Sequence, residues 1–114
     1  MTKQPVSPSP LGEFELLVLL AVLQAGDQAY GSTILTELRE RGGRSVARGA
    51  VYVTLDRLEG KGYLASRAEA GPPARGGRPR RFYTVRPSGL DLLRQSLDRL
   101  ARMRKGLALG LKHS

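Results

Sequence analysis

Arginine supplies most of the chemistry this sequence offers. Arg39, Arg41, Arg44 and Arg48 stand close together, and Arg75, Arg78 and Arg80 recur in a glycine- and proline-rich stretch from Glu69 to Arg80. A guanidinium is permanently charged and presents a planar fork of donors that matches phosphate oxygens, so such clusters suit a polyanion. The bland alternatives are a solvated charged turn for the first cluster and a merely solubilising loop for the second. Catalysis has little to work with. There is no cysteine, and the one histidine, His113, is the penultimate residue. The acids Glu13, Glu15, Asp27, Glu37, Glu40, Asp56 and Glu59 form no motif at metal-ligand or general-acid spacing. No enzyme, metal or cofactor is expected.

Composition agrees with a polyanion partner. Nineteen basic and 10 acidic residues leave a formal charge of +9 on 114 residues, and counterion release from phosphates rewards that excess whatever the sequence bound. Charge alone does not decide between DNA, RNA and an acidic surface. The length fits one domain, or one domain with an arm that needs a partner. Without cysteine no disulfide framework is possible. The longest apolar run, Leu16 to Leu23, is far short of the roughly 18 to 20 residues that cross a bilayer, so a soluble cytoplasmic protein is expected.

The elements that would position these arginines follow from periodicity. Arg48 to Gly62 reads as a helix whose Val51, Leu55 and Leu58 share one face, leaving Arg48, Gly49, Ala50, Tyr52, Val53 and Arg57 as candidate DNA contacts. Tyr52 or Val53 could instead turn toward the core. Small side chains at Gly49 and Ala50 let the helix start approach another surface, and its amides suit phosphate. Before it, a helix from about Leu11 to Ala25 presents Leu16, Leu17, Leu20 and Leu23 on one side, with Leu19 and Val22 widening the stripe nearly all round. A second, from about Ser32 to Glu40, buries Ile34, Leu35 and Leu38. Tyr30 between them is either a packing staple or a hydroxyl for a phosphate. Arg44 lies in the turn before the third helix.

After Gly62, Tyr63 to Arg67 and Arg81 to Val85 alternate as strands around the basic loop, forming a wing. Arg75, Arg78 and Arg80 would reach phosphate or a minor groove from it. A last helix, from about Gly89 to Leu107 or beyond, carries Leu93, Leu97, Leu100, Met103 and Leu107 at near-heptad spacing. A stripe that long outruns one small domain, so it predicts pairing with a second copy, with Leu16 and Leu20 of the first helix contributing. The fold class is therefore mainly α with a small two-stranded β wing, a winged helix-turn-helix plus a C-terminal dimerisation helix. Residues 1–10 form a flexible arm, 11–86 the DNA-binding domain, and 87–114 the dimerisation helix and a frayed tail.

These pieces resemble the PadR family of bacterial transcriptional regulators, in its compact form. The residues that carry the resemblance are the leucine-rich first helix with Gly26 and Tyr30-Gly31, then Gly49-Ala50-Val51-Tyr52 with Leu55 and Leu58-Glu59, then Lys61-Gly62-Tyr63-Leu64. Gly77-Arg78-Pro79-Arg80-Arg81-Phe82-Tyr83 and Pro87-Ser88-Gly89 complete it. The resemblance implies a homodimeric repressor with Ala50 and Tyr52 near DNA, Tyr30 near the backbone, and the terminal helix pairing with helix 1. One departure is that Ala47-Arg48-Gly49-Ala50 replaces the family's usual Ser-Pro-Gly before Thr or Ser, which removes a cap hydroxyl and a preorganising proline; Ser45 is the nearest substitute. Some compact relatives bind flat aromatic ligands through tryptophan, and this chain has none, leaving Phe14 and Tyr30.

The function expected is sequence-specific binding of double-stranded DNA by a homodimeric repressor on a palindromic operator, released by a small-molecule effector. The alternative is a winged-helix module for a protein or RNA partner. RNA recognition favours exposed aromatics, and Phe14, Tyr30, Tyr52, Tyr63, Phe82 and Tyr83 are mostly explicable as core.

Overall fold

The computed structural model describes residues 11–71 and 79–110. The N-terminal arm, Arg75 and Arg78 of the wing, and His113 lie outside the described residues. Four helices and one antiparallel pair follow in the order α1 (Glu13–Ala25), a short 3-10 turn (Gly26–Gln28), α2 (Gly31–Glu40), α3 (Arg48–Gly60), β1 (Leu64–Glu69), β2 (Arg80–Val85) and α4 (Pro87–Arg104). This is the winged helix-turn-helix architecture, with a terminal helix added.

Local chemistry sets most of the boundaries. The Glu15 carboxylate accepts from the Gly12 N–H at 3.2 Å and closes the first turn of α1. Thr33 does the same for α2, its hydroxyl accepting from the Tyr30 N–H at 3.0 Å. By contrast Ala47, which precedes α3, offers no side-chain cap, so Ser45 does not substitute for the missing hydroxyl, an omission worth about 1 kcal/mol. At its other end, Gly62 with φ 84° turns the chain while the Tyr63 N–H returns to the Leu58 carbonyl at 3.0 Å. Pro87 opens α4, and the Ser88 hydroxyl donates to the Gly62 carbonyl at 2.6 Å. Gly89 is there because any Cβ would collide with the Tyr63 carbonyl.

The core lies where α1, α2 and α3 meet the sheet. Val18, Leu19, Ile34, Leu38, Val51, Leu55, Leu58 and Leu64 are fully buried in it, each contributing about 1.5–3 kcal/mol relative to exposure. The face of α1 differs from expectation. Val18, Leu19, Ala21 and Val22 are buried, Leu16, Leu17 and Leu20 pack only partly, and Leu23 is exposed. An almost uniformly apolar helix carries no periodic signal to say which side turns inward.

Antiparallel register pairs Leu64 with Val85 and Glu69 with Arg80. Tyr83 and Val85 face the core, whereas Phe82, on the opposite face of β2, meets Tyr30. The Tyr83 N–H donates to the Ala29 carbonyl at 2.8 Å, and Tyr30 bridges to Phe82, so the residues before α2 run as a short third edge of the sheet.

The C-terminal helix corrects two expectations. Leu93 is buried at 4% exposure with Leu92 in the chain's own core, while Leu97, Leu100 and Met103 point outward. The buried residues of α4, Gly89, Leu92, Leu93 and Ser96, all lie in its first part, so the leucine row runs past the end of the chain's own core. The helix also stops at Arg104, because Lys105 is extended and Gly106 has φ 83°. Leu107 is exposed but lies beyond the helix.

Candidate nucleic-acid interface

The exposed side of α3 has two flanks with different electrostatics. Its buried residues are Val51, Thr54, Leu55 and Leu58, which leaves Arg48, Gly49, Ala50, Tyr52, Val53 and Arg57 exposed. Val53 is 58% exposed and Tyr52 40%, so neither belongs to the core.

On the flank toward α2 and the wing, Tyr30, Gly31, Ser32, Arg48, Tyr52, Pro79, Arg80 and Arg81 surround a recess of about 250 Å³. The Tyr52 ring lies across Gly31, whose lack of a Cβ is the condition for that contact. Arg48 donates to the Ser32 hydroxyl at 3.3 Å, and the Arg80 guanidinium stacks on the Tyr30 ring at 4.3 Å. Among the described residues, Arg48 and Arg80 have no carboxylate within ion-pair distance, whereas Arg81 donates to the Ser66 hydroxyl at 3.0 Å, which in turn donates to Glu59 at 2.6 Å. The buried Arg80 Nε has no hydrogen-bond partner among them either. The N-terminal amides of α2 and the uncapped start of α3 border this flank, adding partial positive charge. An anion there would meet the exposed Arg48 and an Arg80 guanidinium whose Nε is already stripped of hydration.

The flank toward α1 is neutralised from within. Arg44 donates to Glu13 at 2.7 Å and stacks on Phe14 at 5.3 Å. Glu15, whose side chain is 14% exposed, lies 4.0 Å from Arg57 and 3.4 Å from Lys61. Arg44 and Arg57 are thus held by carboxylates of the first turn of α1.

The structure therefore gathers Tyr30, Arg48, Tyr52 and Arg80 in one recess, with Gly49, Ala50 and Val53 beside them on α3. Reasoning from charge passed over Ser32 and Arg81, which line the same recess, and the roles of Glu13 and Glu15. The adjacency of Gly31 to Tyr30 was the available signal for a close approach. Among the described residues no group of three or more His, Cys, Asp or Glu could hold a metal ion, and no helix is long and apolar enough to cross a membrane.

Residues 19–95, which run from α1 through the sheet into α4, match the model of the transcriptional regulator PadR-like family. The chain belongs to that family. No curated protein matches it. Among solved structures it is similar to a PadR family transcription regulator from hypervirulent Clostridium difficile, with 26% identity, a TM-score of 0.69, and coverage of 82% of this chain and 93% of that one. A PadR family transcriptional regulator from Eggerthella lenta matches with 29% identity, a TM-score of 0.65, and coverage of 82% and 81%. Bacillus subtilis PadR, solved in complex with operator DNA, shares the fold at 20% identity and a TM-score of 0.65; 90% of this chain covers 56% of that one.

Proposed function

We propose that this PadR-like regulator is a homodimeric repressor that docks the exposed face of α3 in the DNA major groove. The observation that carries the reading is the recess beside α3 at which Arg48 and Arg80, among the described residues, have no carboxylate at ion-pair distance. In this reading Arg48 and Arg80 take backbone phosphates with the Tyr30 and Tyr52 hydroxyls, while Gly49, Ala50 and Val53 approach base edges. Arg44 and Arg57 join by exchanging Glu13 and Glu15 for phosphate. Arg75 and Arg78, outside the described residues, are proposed as further phosphate contacts on the strength of the sequence alone. The operator complex of Bacillus subtilis PadR supports DNA as the partner.

The exposed Leu97, Leu100 and Met103 on α4 support pairing of two copies, with the partly buried Leu16 and Leu20 of α1 as neighbours. Two heads then read half-sites about 34 Å apart on a palindromic operator and block polymerase by occupancy. A small-molecule effector that shifts α1 against α4 changes the spacing of the heads and releases the DNA.

The test is a fluorescence-anisotropy titration of the protein against a duplex from upstream of its own gene and a scrambled duplex, at two salt concentrations. A preference of about a hundredfold, saturating at two chains per duplex, is expected. Equal weak binding to both duplexes that vanishes at the higher salt would overturn operator recognition and point to a protein or RNA partner.

A further inference from the structure

Phe82 is buried to 9% exposure, yet it does not belong to the hydrophobic core cluster. It projects from the face of β2 opposite Tyr83 and Val85. Two of its neighbours, Tyr30 and Arg67, lie at or beside the proposed recognition surface. The Tyr30 ring meets it edge-on at 5.4 Å with 66° between planes. The Arg67 guanidinium, on the residue directly across the strand pair, covers it at 5.1 Å. Arg80 in turn lies 4.3 Å over the far-side ring of the stack, Tyr30. The result is a continuous row, Arg67, Phe82, Tyr30 and Arg80, running across the wing root to the start of α2.

Backbone contacts tie the same row to the sheet. Tyr30 bridges to Phe82 and the Tyr83 N–H donates to Ala29, so the start of α2 cannot move relative to β2 without breaking them. A cation over an aromatic face is directional and gains strength when partly desolvated, and an edge-to-face aromatic pair fixes ring orientation. A leucine at 82 would fill much of the volume but fix neither ring nor cation.

Resting on the DNA-binding reading above, we infer that Phe82 is a positioning residue: through Tyr30 it holds the Arg80 guanidinium at the recess beside α3. It touches no DNA itself. Its effect reaches the partner through the orientation of Tyr30 and Arg80.

The experiment is a double-mutant cycle of Phe82→Leu and Arg80→Met in the full chain. Affinity for the upstream duplex and the slope of log affinity against log salt are read together, and circular dichroism melting is recorded for each variant. Phe82→Leu alone should weaken binding about tenfold and lower the slope by about one, the signature of one lost phosphate contact. In the Arg80→Met background the same change should cost less than twofold, and Phe82→Tyr should retain wild-type affinity and slope. Phe82→Met, closer in volume, is run beside it so that the cycle can be closed if the leucine variant does not fold. Additive losses, or an unchanged slope with weaker binding, would overturn the inference. Wild-type protein without duplex preference would instead overturn the DNA-binding reading, and the two failures are told apart before any variant is made.

Discussion

The two flanks of α3 both carry cations, with opposite prospects. On the wing flank Arg48 and Arg80 border a recess and, among the described residues, meet no carboxylate at ion-pair distance, while Arg81 turns to the other face of β2 and donates to Ser66 at 3.0 Å. On the α1 flank Arg44, Arg57 and Lys61 are each paired with Glu13 or Glu15. The contrast teaches that a formal charge of +9 is a poor guide to where an anion settles. A guanidinium already bound to a carboxylate releases less free energy on meeting phosphate, because a favourable contact must first be given up. Among the described residues Arg48 and Arg80 have no such competitor, and Arg80 begins partly desolvated. The wing flank should dominate affinity, while the α1 flank modulates it.

The strongest way to break the comparison is Arg48→Ala with Arg80→Ala. Binding to operator and scrambled duplex alike should weaken about thirty- to a hundredfold, and the salt slope should fall by about two. Arg44→Ala with Arg57→Ala should cost only a few-fold, measured in the same anisotropy titrations. A smaller but more local effect is expected from Gly31→Ala. The new Cβ would occupy the position of the Tyr52 ring, and since that ring is the end of a flexible side chain it swings away and the fold survives. Affinity should drop about tenfold with the melting temperature nearly unchanged.

The opposite flank gives a gain. Glu15→Gln keeps an acceptor for the Gly12 N–H but releases Arg57 and Lys61. DNA affinity should rise about two- to fivefold at low salt, while stability falls by no more than about 0.5 kcal/mol, as these cations are half exposed and solvent-screened.

The smallest effect concerns the inner side of the sheet. Burial, with help from Asp56 and Glu59, pushes the Tyr83 phenol above its usual value of 10.0. The folded chain then keeps a proton that the unfolded chain gives up, so stability is unaffected below about pH 10 and falls as pH rises past it. Tyr83→Phe should flatten that alkaline decline in urea melts and leave DNA affinity alone.

How much of this was legible in the sequence depends on the range of the interaction. Val51, Leu55 and Leu58 announce α3 because a helix repeats locally, and the alternation around Phe82 to Val85 does the same for β2. Glycine at 62 and proline at 87 mark their turns. The pairing of Arg44 with Glu13 and of Lys61 with Glu15 spans 31 and 46 residues, and no local pattern encodes it. The acids looked inert for that reason. Likewise Leu93 and Leu97 sit in one heptad row on paper, yet only the packed core decides that Leu93 turns inward. Tyr30 showed itself beside Gly31, but its seat between Phe82 and Arg80 exists only once the start of α2 lies along β2.

The most direct measurement is an NMR titration that follows the arginine side-chain Nε–Hε signals as the upstream duplex is added. The account predicts that Arg48 and Arg80 shift first and gain protection from solvent exchange, with Arg44 and Arg57 following only weakly while their carboxylate partners hold them. Early, saturating shifts at Arg44 and Arg57 with Arg48 and Arg80 unmoved would contradict it, and would move the recognition surface to the α1 flank.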